Sequence, residues 1–153
     1  ANALKVPYRP AGMLIKVSFG SGCERHTDRP YTYFLYMTHG YGGARTSGAK
    51  AVKVERTSTF VDADVYIMGH DHTVNVAPAV YLQADPRSRL DPVTGFSTGK
   101  VIAHPKMLVK TNSFCKSGGY AEMGGFAPVN LIPPKIILKG TGDKEVITEV
   151  SSG

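Results

Sequence analysis

Apolar and polar residues alternate over 13–19, with Leu14 and Lys16 set against Ile15 and Val17, and this period of two predicts a strand. An apolar run over 31–37 predicts a second strand, which delivers His39 and Gly40 at its end. The polar stretch 45–61 reads as a helix, with Thr46 or Ser47 as its N-cap and Asp62, Ala63 and Asp64 closing it. Its apolar face is thin. Ala49, Val52 and Phe60 fall on it while Lys53 and Arg56 interrupt, so it should pack on a sheet through one narrow stripe. A short apolar run over 65–68 predicts a third strand, ending in Gly69, His70, Asp71 and His72. Strands over 73–82 and 101–111 flank a polar excursion over 84–99, punctuated by Pro86, Pro92 and Gly95. The glycine-rich 118–128 segment predicts a loop with a short helical turn. Pro133 and Pro134 break the chain, and 135–139 with 145–150 predict a hairpin around Gly140, Thr141, Gly142 and Asp143. The fold class expected is a β-rich α/β arrangement with a mixed or antiparallel sheet and one main helix.

Strand, helix, strand is the unit that places two parallel strands side by side, and loops at the carboxyl ends of such strands build ligand sites. Three of the five histidines, His39, His70 and His72, are therefore expected to converge. If the segment after the third strand is extended, His70 and His72 point the same way and Asp71 points away from them. Gly40 and Gly69 leave the backbone open to close approach. Imidazole suits transition metals, so these three are the candidate metal ligands. His26 reads as a loop residue, and His104, before Pro105, as a strand-edge or turn residue.

Composition narrows the alternatives. The chain has 153 residues, 42% hydrophobic and 20% charged, as one soluble domain over 1–153 would have. It holds no apolar run of about 18 residues, so no membrane-spanning helix is expected. Cys23 and Cys115 lie far apart and form no Cys-x-x-Cys pattern, which argues against structural zinc and points, with so few cysteines, to a reducing, cytoplasmic setting; a Cys23–Cys115 disulfide stays open. The net charge of +6 suits an anionic substrate or nucleic acid. Basic residues cluster at Arg45, Lys50, Lys53 and Arg56, beside the histidines, and Arg45 is the candidate for a bidentate contact to a substrate phosphate. The aromatic and basic interleaving of single-strand binders is missing, which ranks a nucleic-acid module low.

The string THGYGGARTSGAK followed by YIMGHDHTVNVAP resembles the later half of a calcineurin-like metallophosphoesterase, in particular the phage-type members. The piece KTNSFCKSGGYAEMGGFAPVNL resembles the tail of the same group, and the likeness runs from about Lys16 to about Leu138. The resemblance implies a four-layer sandwich of two sheets flanked by helices, of which this chain supplies half. It also implies a phosphomonoester or phosphodiester substrate and two divalent ions in the intact enzyme. His39 and His70 would hold one ion and His72 its partner, and neutral imidazoles favour Mn, Fe or Zn.

The chain departs from that family in its first part. The Asp-x-His, Gly-Asp-x-x-Asp and Gly-Asn-His-Asp or -Glu motifs are missing, and Asp28 is the one aspartate before His39. The bridging carboxylate, the asparagine ligand and the family's catalytic histidine have no counterpart. The expectation is the C-terminal part of a metal-dependent phosphoesterase, inactive or weakly active alone. It should leave an apolar face for a missing half or for a second copy in a homo-oligomer. A non-catalytic interaction domain is the alternative from another class.

Overall fold

The computed structural model describes residue 9 and residues 11–19, 31–44, 46–87, 89–96, 99–112, 118–125, 131–140 and 143–150. Five strands form one mixed sheet in the order β1-β2-β3-β5-β4: β1 (Gly12–Phe19), β2 (Tyr31–Thr38), β3 (Val65–Met68), β4 (Asn75–Ala84) and β5 (Val101–Lys110). β2, β3 and β5 run parallel at the centre, and β1 and β4 are antiparallel edges. The crossover helix α1 (Ser47–Thr57) joins β2 to β3, as the strand–helix–strand pattern predicts. A four-residue helical turn, α2 (Tyr120–Met123), follows, and then the hairpin β6 (Lys135–Leu138) and β7 (Val146–Glu149).

α1 is shorter than the 45–61 expected. Thr46 caps its start, its hydroxyl accepting from the Ala49 N–H. At its end Thr57 and Ser58 donate their hydroxyls back to the carbonyls of Val54 and Glu55, and the Ser58 N–H bonds to Glu55 three residues back. Such hydroxyl bonds compete with the helical ladder, and the chain tightens into turns. The expected stripe is also corrected. Ala49, Val52 and Phe60 face solvent, whereas Val54 and Thr57 are buried on the sheet, with Lys50 and Lys53 half-buried beside them. The stripe is narrow, as expected, but turned about one residue type further round: lysine stems do part of the covering.

α1 packs on the face made by Tyr36, Tyr66, Met68 and Leu108. The other face carries Tyr33, Val65, Met107 and Val109, and the β6–β7 hairpin lies against part of it. Tyr33 is fully buried there; its hydroxyl donates to the Lys139 carbonyl at 2.5 Å and accepts from the Glu145 N–H at 3.1 Å. Phe19 meets the Tyr33 ring edge-on, and a methyl on Gly140 would come within 2.9 Å of the Phe19 ring. Asp64, at the start of β3, is a structural residue. Its carboxylate accepts from the Phe34 N–H and pairs with Lys144.

β4 and β5 pair over ten residues each, beyond the sheet's centre, so the excursion expected over 84–99 begins one residue after β4. His104 sits inside β5 opposite Tyr81, not in a turn. On this extension Pro78, Val80, Leu82 and Ala84 of β4, with Val101, Ala103 and Pro105 of β5, alternate onto one face and are all exposed.

Candidate metal centre

The three parallel strands end together. The Gly69 N–H bonds to the Thr38 carbonyl and the Thr111 N–H to the Met68 carbonyl, so His39, Gly69 and Thr111 stand on one edge. An open cleft of about 830 Å³ lies there, with Met13, Met37 and Ile67, neighbours across three strands, among its lining residues, beside Thr38, His39 and Thr111. This is the carboxyl edge, where ligands of parallel sheets bind.

His39 and His70 meet at this edge. His70 Nδ1 is 3.2 Å from His39 Nε2, and the rings lie 5.1 Å apart at 75°. Two nitrogens each about 2.0–2.1 Å from one tetrahedral ion would stand roughly 3.3 Å apart, so the spacing fits two ligands of a single ion. Among the described residues no group of three or more His, Cys, Asp or Glu side chains is gathered to hold a metal. His72 thus does not complete a three-histidine cluster with the pair there. Arg45, Cys23, Cys115 and His26 lie outside the described residues.

The extended geometry expected after β3 is replaced by a turn. His70 and His72 both adopt left-handed backbone, φ 74° and 47°. The Asp71 N–H reaches back to the Gly69 carbonyl at 3.0 Å, which with φ 74° makes a tight turn centred on His70. The reason is topological. The short segment between β3 and β4 must reverse the chain and pass over the end of β5, which lies between them. Left-handed residues make that reversal, at a cost of about 1–3 kcal/mol each for a residue other than glycine.

Asp71 is almost fully buried, whereas His39 and His70 are exposed. Asp71 pairs with Lys53 from α1 at 2.8 Å and with Lys110, the last residue of β5, which has no exposed surface. Burial alone would raise the Asp71 carboxyl; the hydrogen bonds and charges of Lys110 and Lys53 outweigh it and hold the group below the usual carboxylate range. Burial pushes the Lys110 ammonium down, with Asp71 opposing. Lys53 also donates to the Gly42 carbonyl at 3.0 Å, and Lys50 to the Thr73 hydroxyl at 2.8 Å. Sequence analysis placed Lys50 and Lys53 only in a basic cluster beside the histidines and gave Lys110 no role. A signal was present: with a period of two, β5 sets Lys106, Leu108 and Lys110 on the face that α1 covers, and buried ammonium groups require carboxylates.

Gly40 fits this centre by having no side chain. Its φ is 95°, and a methyl there would lie 2.9 Å from Met68 Cγ and 3.1 Å from His70 Cβ. Gly40→Ala is expected to destabilise the fold by about 1–3 kcal/mol and to push His70 from His39. Urea unfolding, with the slope unchanged, checks the first effect, and Zn²⁺ titration checks the second.

No protein-family model, curated protein or solved structure matches this chain significantly. No helix among the described residues is long and apolar enough to cross a membrane.

Proposed function

We propose that this chain carries the histidine-bearing part of a metal-dependent phosphoesterase centre, with His39 and His70 as ligands of one divalent ion. The observation that carries the reading is the 3.2 Å approach of two imidazole nitrogens at the ends of adjacent parallel strands, above an open cleft. His72 would hold a second ion and Arg45 a substrate phosphate, in keeping with the sequence resemblance. Neutral imidazoles select Mn, Fe or Zn over Mg or Ca. A bound ion of this kind polarises a phosphoryl oxygen and lowers the pKa of its water. The chain's own residues hold the ion at His39 and His70 and leave the cleft open to a phosphoester.

Charge balance decides how far the chain goes alone. Imidazoles bring no negative charge, and Asp71, between the two histidines of the turn, is already committed to two lysines. Among the described residues no further carboxylate joins the pair, so carboxylates would come from elsewhere, whether a partner half or a second copy. The exposed apolar face of the β4–β5 extension supports such a partner and equally favours the second reading, a non-catalytic interaction module. Nucleic acid is the lower-ranked partner, resting on the +6 charge alone. The cysteine content fits a cytoplasmic setting.

The chain is expected to turn over chromogenic phosphomonoesters and phosphodiesters in excess Mn²⁺ barely above the blank, while still taking up metal. Robust turnover that His70→Ala abolishes would show a complete enzyme. Neither metal uptake nor turnover would favour the interaction module.

A further inference from the structure

His39 and His70 come from separate loops, and both histidines are exposed, so burial of their rings does not hold them together. One side chain bridges the loops that carry them. The Lys53 ammonium, on α1, donates to the Gly42 carbonyl in the His39 loop at 3.0 Å and to Asp71 Oδ1 in the His70 loop at 2.8 Å. Its side chain is 13% exposed and that of Asp71 3%, so solvent screens this contact far less than it screens a surface ion pair. Asp71 is fixed from three directions. Lys110 takes its second oxygen, and the Thr73 hydroxyl, itself held by Lys50, donates to its carbonyl at 3.1 Å. With Asp71 buried, the residues on either side adopt left-handed backbone, and the exposed His70 imidazole meets His39, which lines the cleft. Such strain persists only where surrounding contacts over-determine it.

We infer that Lys53 is a positioning residue which sets the gap between His39 and His70 by tying both loops to α1. Among the described residues Lys110 bonds to Asp71, in one loop alone. Without Lys53, buried Asp71 still has a counterion in Lys110. Its effect on a metal rests on the ligand reading given above; its effect on the two rings does not.

The test compares the chain with Lys53→Met, which keeps the apolar stem and loses the cation, and Lys53→Arg, which restores a cation with several donors. NMR contacts between the His39 and His70 ring protons report the gap directly, and titration with Zn²⁺ alone reports its consequence. The wild type and Lys53→Arg should show the ring contact. Lys53→Met should lose it, with Zn²⁺ affinity falling about tenfold, the scale seen when a group that orients a ligand is removed. Should Lys53→Met fail to fold, Lys53→Gln, uncharged and one bond shorter, gives the same readout. A ring contact and affinity unchanged without the ammonium would overturn the inference, as would equal losses in the arginine variant, which would show that a cation at this position does not set the gap. A wild type with the ring contact but no Zn²⁺ binding would refute the ligand reading and leave the positioning role standing on the NMR arm.

Discussion

Asp71→Ala is expected to destabilise the fold by about 3–5 kcal/mol, the usual cost of removing one partner from a buried ion pair. The cost arises from what remains. Lys110 has no exposed surface, and Lys53 is largely covered, so two ammonium groups would face each other with no anion between them. Lys110 cannot reach water without leaving the space beneath α1. Urea unfolding checks the magnitude, and a loss below about 1 kcal/mol would mean that the cluster is hydrated like a surface pair. The pH dependence follows with a definite sign. Asp71 has a folded pKa below its unfolded value of about 3.9, so its contribution is complete above that value and is lost as pH falls through the lower folded one. Wild-type stability should decline on acidification below about pH 4, and Asp71→Asn should decline less steeply over that window. A variant that follows the wild-type acid curve would remove Asp71 as its source.

His70→Ala is expected to lower metal affinity by about a hundredfold. A four-ligand zinc site is worth about 10–16 kcal/mol, so each ligand contributes roughly 3 kcal/mol, and the pair would be reduced to one nitrogen. The fold should tolerate the change, because the His70 side chain is exposed and bonds to His39. Alanine keeps the left-handed strain at that position, so His70→Gly serves as a second variant that relieves it. Both should lose Zn²⁺ or Mn²⁺ uptake in equilibrium dialysis while unfolding near the wild-type midpoint. Retained uptake in both would sink the assignment of His70 as a ligand.

Several elements were legible in the chain because their signals are local. The alternation over 13–19, the apolar runs over 31–37 and 65–68 and the β6–β7 hairpin all appear where the pattern puts them, within a residue or two. Thr46 is the cap that its hydroxyl and position suggest. The helix face was misread because Val54 and Thr57 carry the contact while lysine stems, polar by name, cover the flanks. Of the two readings of His104, strand edge or turn, the strand holds: it lies in the part of β5 that pairs with β4 alone, and the long β4–β5 ladder accommodates the proline beside it.

For the candidate centre the division is sharper. The sequence by itself determined that two histidine-bearing loops follow neighbouring parallel strands, since strand, helix, strand leaves little choice of arrangement. Tertiary structure decided what the loops do. The left-handed turn at His70 and His72 comes from passing over β5, whose place between β3 and β4 no local pattern reveals. The inward Asp71 depends on Lys53 and Lys110, 18 and 39 residues away along the chain. Local propensity sees neither partner. A buried charge is tolerated only where the complete fold supplies its counterion, and that is a property of the packed molecule.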